Sequence, residues 1–597
     1  MADETFDAVI IGSGAGGAPI AHTLVRAGKR VLVLEKGPLF HAQHTSPDGL
    51  SDFKRDEEFA TGAEKVLRVQ GVANTGASFY SSHVEPDLND EPHVYRDVDG
   101  RDKVTIEGYT AQVVGGGTQL YGGVSLRFAP DDFRLRTVNQ GRSDLRDDGN
   151  GDVAREARDW PFGYDELEPW YCRAEDLVGI NGTRDGQLKP VSVDHYQKPL
   201  EPNSISSHVA TGMDALGYRR YRTPLAVITE DHVPSGRTVP LDRESIKTAF
   251  VNRYGDPLGL KSNTWVSLLH PISTEPGFSL RANCAVTHLS ATGSRVTAVH
   301  YRDPLGRERT VSGAVVVVAC SAIESVRLLQ LSAALDAGFA ARINGNDLLG
   351  RYFLTHCFGG ASARVPGRHD KSRTLDSDWA TDACAAPEFV RANNLWAGGA
   401  IYNNTSDSAL PISMARTWAA NDMDTMWKGY LYDLDMRGDA FDGYLTENFG
   451  RQLSVAFMAN QLPLPTNRIT LHPTVRDKWN RPVAHIDKGW HAHDRAVMDV
   501  LAEQCRRILA AGGDGVQVIG HGHVGNDVRR IANHVLGGAR FGTDPADSVL
   551  DPDCRAWRFD NLYVTDGSFM PTSGGANPTL TIQANAFRVG DLLTTRV

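Results

Sequence analysis

Residues 6–17 read Phe-Asp-Ala-Val-Ile-Ile-Gly-Ser-Gly-Ala-Gly-Gly, an apolar run that passes directly into a cluster of glycines. Residues 18–27 then have the apolar spacing of a helix that stops at Gly28, and residues 30–34 form a second apolar run that ends at Glu35. A strand, a glycine turn, a helix and a second strand ending in an acid are the pattern of a dinucleotide-binding βαβ unit. The segment therefore predicts a Rossmann-like fold.

Each residue type in this turn has a chemical reason. Gly12 permits a tight turn, Gly14 lets a pyrophosphate approach the backbone, and Gly17 lets the helix pack closely on the strand. The helix N-terminus offers free N–H groups and partial positive charge to the phosphates. Glu35 can accept hydrogen bonds from both ribose hydroxyls, which disfavours a 2′-phosphate and hence NADP. The motif by itself leaves FAD and NAD both open.

The composition excludes several classes of protein. The chain has 597 residues, of which 41% are hydrophobic and 23% charged, so it is neither disordered nor fibrous. Its net charge of −11 argues against a nucleic-acid partner. No apolar run reaches the roughly 18–20 residues of a membrane span, and the start Met-Ala-Asp-Glu lacks the basic residues of a secretory signal. With 7 cysteines and no CxxC spacing, we expect a cytoplasmic protein without a zinc or iron–sulfur site.

The end of the chain carries a second pattern. His534 is followed by a glycine-containing stretch and later by Asp566, Asn577 and Pro578. This arrangement resembles the GMC (glucose–methanol–choline) family of flavin oxidoreductases, in which a His precedes a His or Asn just before the final helix. Residues 579–593 have the apolar spacing of such a helix, with Asn577 as its cap and Pro578 as its first residue.

The resemblance extends along most of the chain. Further similar stretches are residues 115–123, 159–161, 164–171, 315–325, 350–356 and 467–470. Cys320 and Ser321 depart from the family, which usually has Ala or Ser followed by Gly at these positions. The chain is most similar to the bacterial branch that includes pyranose oxidases and gluconate, fructose and glucoside dehydrogenases.

The resemblance implies an α/β fold with two parts. A Rossmann-like FAD-binding domain is assembled from residues 1–40, 106–200, 270–358 and 532–597, and residues 41–105 form a lid or insertion. A substrate-binding domain with a mostly antiparallel sheet and helices comprises residues 201–269 and 359–531. Residues 467–471 and 482–486 are expected to be two strands of that sheet.

The resemblance also implies the chemistry, which is oxidation of an alcohol group with hydride transfer to flavin N5. A base must take the hydroxyl proton, and a histidine suits this task because its ordinary pKa near 6.5 leaves it neutral at pH 7. His534 is therefore predicted to be the general base, and Asn577 to orient the substrate oxygen. The N-terminus of the final helix would point at the pyrimidine edge of the flavin.

The predicted contacts of the cofactor come from five parts of the chain. They are Gly12, Ser13, Gly14, Gly17, Glu35, Lys36, Gly116, Thr118, Tyr121, Gly122, Val286, Asp566, Asn577, Pro578 and Thr579. Val286 rests on the family analogy, in which a residue there contacts adenine, and Tyr121 is expected to pack against the flavin.

Two departures concern the cofactor and its reoxidation. Some pyranose oxidases attach FAD through a His in the flavin loop, but residues 119–121 read Gln-Leu-Tyr, so we predict non-covalent FAD. Several dehydrogenase relatives carry a cysteine cluster where residues 254–264 have none. Oxygen, a quinone or a separate redox protein would therefore be the electron acceptor.

The substrate is expected to be a small-molecule alcohol on a sugar, a glycoside, or an amino sugar or aminoglycoside. Residues 422–447 mix acids and aromatics, which either form a solvated surface or face a cationic, hydroxyl-rich ligand. The pairs His491/His493 and His521/His523 have no carboxylate or Cys at ligand spacing, so no metal is predicted. Alternatives are a cyanohydrin-type lyase, a polyol or sterol dehydrogenase, and a binding protein that has lost catalysis.

Overall fold

The computed structural model describes residues 5–39, 65–66, 78–79, 91–96, 100–105, 111–145, 153–239, 259–369, 377–404, 439–526 and 534–597. The α-helices are α1 Ala18–Arg26, α2 Leu135–Val138, α3 Val153–Glu156, α4 Tyr164–Val178, α5 Ser207–Ala215, α6 Ala322–Leu335, α7 Ala337–Ile343, α8 Pro387–Ala392, α9 Asp439–Asn448, α10 Ala492–Ala510 and α11 Thr579–Thr594. The strands are β1 Thr5–Ile11, β2 Val31–Leu34, β3 Lys65–Val66, β4 Ser78–Phe79, β5 His93–Arg96, β6 Asp102–Thr105, β7 Tyr221–Arg222, β8 Phe278–Arg281, β9 Ala285–Thr292, β10 Arg295–Arg302, β11 Glu308–Val318, β12 Cys357–Arg364, β13 Trp379–Thr381, β14 Gly399–Asn404, β15 Gln452–Ala459, β16 Arg468–Arg476, β17 Pro482–Asp487, β18 Gln517–His523 and β19 Leu562–Val564. Most of the predicted lid and most of the acidic and aromatic segment lie outside the described residues.

The largest sheet has seven strands and forms the predicted dinucleotide-binding fold. Strands β8, β2, β1, β11 and β19 run parallel in that order, and β10 and β9 extend the first part of β11 as an antiparallel meander. All of β2 and the last four residues of β11 are apolar and buried, as parallel strands covered on both faces require. Helix α1 packs against α11. The α/β class predicted from the first forty residues and the family resemblance is confirmed.

The second sheet is antiparallel throughout and has six strands in the order β18-β12-β15-β14-β13-β7. Leu453, Val455 and Phe457 of β15 are buried, whereas the residues between them are half-buried. This alternation identifies the face on which α10 packs. The mostly antiparallel sheet expected of the substrate domain is therefore present.

The third sheet corrects one prediction. Residues 467–471 and 482–486 do form strands, β16 and β17, but these strands pair with β5 and β6 in a separate four-stranded sheet. Its position is set by two contacts. Helix α6 packs against β16 and β17, and Asp102 on β6 accepts hydrogen bonds from His485 at 2.9 Å and His472 at 3.2 Å. The hairpin therefore joins the side of the dinucleotide-binding domain.

The longest helix of the described residues is α10, with 19 residues. Its sequence contains several charged side chains, and no helix within the described ranges is long and apolar enough to cross a lipid bilayer. The cytoplasmic location expected from the sequence stays a prediction.

Candidate active site

The turn between β1 and α1 requires glycine at Gly12 and Gly17. Gly12 has φ +102°, and a Cβ there would lie 2.2 Å from the carbonyl oxygen of Ala319. A Cβ on Gly17 would lie 2.1 Å from the carbonyl oxygen of Gly12, so the close contact of helix and strand predicted for Gly17 is present. At Gly14 the nearest atom to a Cβ would be the Cα of Gly116, at 3.8 Å. A Cβ on Gly116 would lie 3.1 Å from the Cα of Gly14, so the first glycine turn lies against the second glycine loop.

The backbone of the first glycine turn suits the pyrophosphate of a dinucleotide. Among the described residues, the backbone N–H groups of Gly14, Ala15 and Gly16 have no hydrogen-bond partner. They lie at the N-terminus of α1, whose first turn carries no acid and whose cap residue has no side chain. Unpaired N–H groups at a helix N-terminus are a ready anion site, and the glycines let an anion reach them.

Ser13 links the predicted contacts Glu35 and Gly115–Gly116. Its N–H and Oγ donate to Glu35 Oε2 at 3.1 and 2.6 Å, and the N–H of Gly115 donates to its Oγ at 2.9 Å. Desolvation raises the pKa of Glu35, while these hydrogen bonds and one from Gly37 act in the opposite direction. The carboxyl group is therefore held at the end of β2, beside the first glycine turn.

The segment Lys261–Thr264 also builds this site, and the sequence analysis missed it. The hydroxyl of Thr264 donates to the carbonyl of Ser13 at 2.9 Å, and its N–H donates to Thr118 Oγ1, also at 2.9 Å. Lys261 is almost fully buried, and its ammonium group donates to the carbonyl of Gln119 at 3.0 Å. The available signal was the polar run Lys-Ser-Asn-Thr between Leu-Gly-Leu and the apolar run that begins at Trp265.

Tyr121 lies in the loop of residues 115–123, the flavin loop of the family resemblance, and it is anchored by the segment Lys261–Thr264. Its hydroxyl donates to the carbonyl oxygen of Ser262 at 2.8 Å, and desolvation raises the pKa of the phenol. Gly122 follows it in the loop. Stacking of the Tyr121 ring on a flavin stays a prediction.

Asp566 packs against the first glycine turn at Gly16. A Cβ on Gly16 would lie 2.8 Å from the Cα of Asp566, and Thr565 Oγ1 donates to the carbonyl of Gly16 at 2.9 Å. The Asp566 carboxyl accepts hydrogen bonds from the N–H of Ser568 at 2.9 Å and from the hydroxyl of Ser325, while desolvation raises its pKa. The structure thus brings the N-terminal, flavin-loop and C-terminal contacts together.

Lys36 and Val286 lie farther out, next to the third sheet. The ammonium group of Lys36 pairs with Glu91 and lies 5.8 Å from the centroid of the Trp479 ring, and burial lowers its pKa to about 8. The carbonyl of Val286 accepts a long hydrogen bond, 3.5 Å, from Arg481. The contacts of Lys36 and Val286 with the cofactor stay predictions.

Ser321, which departs from the family, adopts the backbone of a glycine. It precedes α6 with φ 74° and ψ 151°, a region that residues with a Cβ rarely occupy. We predict that Ser321→Gly raises the free energy of unfolding by about 1 kcal/mol, because it relieves this strain. Thermal unfolding measures the change. The same exchange at Ser332, inside α6, should destabilise, and a loss of stability in both variants would contradict the prediction.

His534, the predicted base, lies two residues before Leu536, which pairs with Leu354 in an antiparallel bridge. Its side chain is half-buried, and desolvation lowers its pKa to about 4, so the imidazole is neutral at pH 7. The ring of His356 packs against it edge to face, with centroids 5.0 Å apart and an interplanar angle of 82°. His356 is completely buried, and the sequence analysis assigned it no role beyond membership of a similar stretch.

Asn577 does not cap the final helix, which corrects a second prediction. The first helical hydrogen bond runs from the N–H of Ile582 to the carbonyl of Pro578 at 2.9 Å, so Pro578 is the cap and Thr579 begins α11. Asn577 instead points toward the antiparallel sheet, where its Nδ2 lies 3.4 Å from the hydroxyl oxygen of Tyr402. Its Oδ1 is buried without a hydrogen-bond partner among the described residues. An acceptor is therefore available there for a ligand.

The loop that precedes Asn577 is held between the two domains. The N–H of Gln461 donates to Ser573 Oγ at 2.8 Å, and the N–H of Ala400 donates to the carbonyl of Gly575, also at 2.8 Å. Gln461 Oε1 accepts from the N–H of Thr355, again at 2.8 Å. Thr355 is the neighbour of His356, so Gln461 holds the backbone beside His356 through its side chain and the loop before Asn577 through its N–H.

Asp494 supports this arrangement from α10. Its carboxyl oxygens accept hydrogen bonds from the N–H groups of Leu462, at 2.8 Å, and His491, at 3.0 Å. Desolvation raises its pKa from 3.8 to about 7, so the folded state holds the proton more tightly than the unfolded state. The stability that this group contributes is complete below about pH 4 and is lost as the pH rises through about 7.

We therefore predict that the thermal midpoint of the wild type exceeds that of Asp494→Asn by more at pH 5 than at pH 8. The asparagine does not titrate, so it supplies the reference at each pH. A difference between the two proteins that is constant over this pH range would contradict the assignment.

Of the paired histidines in the sequence, His491, His493 and His523 have contacts of their own. His491 caps α10 and accepts a hydrogen bond from the N–H of His493. His523 on β18 pairs with Asp499 of α10 at 2.8 Å. Over the described ranges, no three His, Cys, Asp or Glu side chains are grouped as metal ligands.

Comparison with known families agrees with this geometry. Models of the GMC oxidoreductase match residues 102–357 and 463–586, together more than half of the chain. A model of the NAD(P)-binding Rossmann-like domain matches residues 10–50, where the first glycine turn lies.

Individual relatives match over their whole length. The chain is 27% identical to 2-methyl-1,2-propanediol dehydrogenase of Mycolicibacterium austroafricanum, covering 100% of this chain and 96% of the relative. It is 29% identical to paromamine 6′-oxidase of Streptomyces fradiae, covering 99% and 93% of the two chains. The crystal structure of pyridoxine 4-oxidase from Mesorbium loti superimposes with a TM-score of 0.57 at 16% identity over 98% and 99% of the chains, which supports the fold. The glycine turns, the two sheets and the matched models show that this chain belongs to the GMC oxidoreductase family.

Proposed function

We propose that this protein uses FAD to oxidise an alcohol group, with His534 as the general base and Asn577 orienting the substrate oxygen. The observation that carries the proposal is the neutral imidazole of His534 in a chain whose first glycine turn has, among the described residues, unpaired backbone N–H groups at a helix N-terminus. GMC oxidoreductases are flavoproteins, and these N–H groups would bind the pyrophosphate of FAD.

In this proposal, the chain positions the alcohol and takes its proton. His534 is neutral at pH 7 and accepts the hydroxyl proton, while Nδ2 of Asn577 donates a hydrogen bond to the same oxygen. FAD, when bound, accepts a hydride from the carbinol carbon. Burial disfavours a positive charge on the imidazole, so the imidazolium that forms on His534 needs local stabilisation.

The substrate class that we propose is a sugar, a glycoside or an aminoglycoside. Two full-length relatives are named for oxidation of alcohols, one of them for the aminoglycoside-like paromamine and the other for a diol. The acids of the 422–447 segment would suit ammonium groups, but only 439–447 of it, mostly α9, are described. A non-sugar alcohol such as a polyol or sterol is the alternative.

We further propose that FAD is bound without a covalent link. The flavin loop has no histidine at 119–121, and the amide of Gln119 is engaged with the carbonyl of Val114 at 3.0 Å. Denaturing the yellow protein with acid should release all of the flavin into the supernatant. Flavin that precipitates with the protein would contradict this proposal.

The function is tested by mixing the purified yellow protein with candidate alcohols without oxygen and following the flavin absorbance. We expect bleaching by at least one sugar, glycoside or aminoglycoside, and slower bleaching by simple diols or sterols. Bleaching only by sterols or polyols would overturn the substrate class. Cleavage of a cyanohydrin without bleaching by any alcohol would overturn the reaction itself.

The same bleached protein identifies the acceptor class. Recolouring within seconds of admitting air indicates oxygen, whereas recolouring only after a quinone or a purified redox protein is added indicates a dehydrogenase. Our proposal requires one of these three acceptor classes to restore the colour.

A further inference from the structure

The position of His356 is set by a backbone pairing that also sets His534. Leu354 and Leu536 form an antiparallel bridge with N–H···O distances of 2.8 and 2.9 Å. His356 lies two residues after Leu354, and His534 lies two residues before Leu536, so the antiparallel register places the two histidines opposite each other. The edge-to-face contact of their rings, with centroids 5.0 Å apart, follows from this register.

His356 has a polar side chain that is buried, and the backbone on both sides of it is hydrogen-bonded. Its neighbours are tied on both sides, because the N–H of Thr355 donates to Gln461 and Cys357 pairs with Ala459 in the antiparallel sheet. The side chain is 0% exposed, and neither ring nitrogen makes a well-aligned hydrogen bond within the described residues, although the backbone carbonyls of Ser573, Gly574 and Ala576 lie near the ring. A phenylalanine would fill the same space without leaving two buried polar atoms unpaired, so packing does not explain the histidine.

The electrostatic surroundings keep His356 neutral. Desolvation is the largest cause that lowers its pKa well below the usual value, and His534 adds to the lowering, while the backbone carbonyls of Ser573, Gly574 and Ala576 partly oppose it. Desolvation also lowers the pKa of His534, to about 4. Two positively charged imidazolium rings this close would repel each other, so at most one of the two rings is charged at a time, and the half-buried His534 is the one accessible to a substrate.

A histidine that acts as a general base needs a partner on its second ring nitrogen, which selects the tautomer and stabilises the imidazolium. In the described part of the chain, His356 is the aromatic ring in contact with His534, and its neutral ring carries one acceptor nitrogen. Such hydrogen bonds are often loose before the substrate binds and tighten in the complex.

We propose that His356 is a positioning residue whose unpaired ring nitrogen accepts a hydrogen bond from His534 and stabilises the protonated form of His534 during alcohol oxidation. The inference rests on the proposed function. When the alcohol reacts, its O–H bond breaks and an N–H bond forms on His534, while the hydride of the carbinol carbon leaves to the FAD. The proton then stays on His534, beside the neutral ring of His356, until the product leaves.

The test compares His356→Phe, which keeps a ring but has no acceptor, with His356→Gln, which keeps an acceptor. We expect His356→Phe to retain FAD and at least the thermal stability of the wild type, because two unpaired buried nitrogens are removed. Its anaerobic flavin reduction should be about 10–100-fold slower, the scale of one lost charge-assisted hydrogen bond. The pH at which reduction is half-maximal should shift, and His356→Gln should recover most of the rate.

The matched control is His22→Phe. His22 is also buried, has an unpaired Nδ1 and a pKa lowered to about 4, and packs edge to face on an aromatic ring, Phe587. It contacts no catalytic residue among those described, so its replacement should leave the pH profile of flavin reduction unchanged.

A second readout does not depend on turnover. In ¹⁵N-histidine spectra of the FAD-loaded protein, the resonance missing from His534→Gln identifies His534, and His356→Phe should lower the pKa measured from it. A His356→Phe protein with the wild-type rate, pH profile and His534 pKa would overturn this inference alone. The inference would also fall if that variant lost stability and FAD while His356→Gln was equally slow. A wild-type protein that no alcohol bleaches would overturn the proposed function and this role together.

Discussion

Replacement of His534 by Ala is expected to leave a yellow, folded protein whose flavin is reduced by the alcohol substrate about 10²–10⁴-fold more slowly, the usual loss for a general base. The imidazole of His534 is half-buried, and its removal leaves no hydrogen-bond partner unpaired among the described residues. The free energy of unfolding should therefore change little. Anaerobic stopped-flow absorbance of the flavin measures the rate. The effect should fall on the limiting rate, because His534 acts on the hydroxyl proton during the chemical step.

The matched control for this variant is His521→Ala. His521 lies on the exposed strand β18, and the family resemblance gives it no role. We expect wild-type reduction from this control. Equal rates in His534→Ala and the control would remove His534 as the base, while loss of the yellow colour from His534→Ala would show that its role is structural.

Substitution of Gly14 by Val should weaken FAD binding strongly while leaving the fold intact. A Cβ at this position meets no protein atom closer than 3.8 Å, so the protein can accommodate the side chain, which would lie beside the unpaired N–H groups of the turn. We assign the pyrophosphate to these N–H groups. Overpacking of this kind typically costs about 1–3 kcal/mol, which weakens binding by about 5–150-fold. Flavin absorbance per protein after dialysis, and titration of the apoprotein with FAD, measure the loss.

Variants at two further glycines distinguish a loss of FAD binding from a loss of folding. At Gly17 the added Cβ would lie 2.1 Å from a backbone oxygen, so Gly17→Val should prevent folding even without FAD. At Gly520, on β18, the Cβ would meet nothing within 4 Å, so Gly520→Val should bind FAD normally. A Gly14→Val protein that binds FAD as tightly as the Gly520 variant would show that the pyrophosphate lies elsewhere.

Local patterns predicted local structure well. The expected strand 6–11, helix 18–27 and strand 30–34 correspond to β1, α1 and β2, with differences of one residue at their ends. The expected final helix, 579–593, corresponds to α11. These elements are decided by their own apolar periodicity and by the glycines and proline at their ends, which a sequence displays directly.

What depended on distant partners was predicted less well. The hairpin of β16 and β17 was assigned to the wrong sheet because its parallel partner, β5, lies almost four hundred residues earlier in the chain. The segment Lys261–Thr264 completes the flavin loop only after the chain has folded back on it. Periodicity carries no information about such pairings, although a polar run inside an apolar stretch marks buried polar groups that need partners.

The candidate site likewise has parts that local sequence patterns predicted and parts that depend on distant partners. The motif around Gly12 predicted a cradle that the structure contains, and the resemblance pointed to His534 and Asn577. The importance of His356 could not be read from the sequence, because it depends on the register of the Leu354–Leu536 bridge. The orientation of Asn577 toward Tyr402 likewise depends on where β14 passes.

The central claim is that the imidazole of His534 and the carboxamide of Asn577 act together on one substrate oxygen. A crystal structure of the FAD-loaded protein with a bound alcohol or product analogue tests it most directly. Our account predicts that both side chains lie on the substrate side of the flavin, each within about 2.6–3.2 Å of the ligand oxygen, and that the carbinol carbon faces N5. An oxygen that contacts neither side chain, or two side chains separated by the flavin ring, would contradict it.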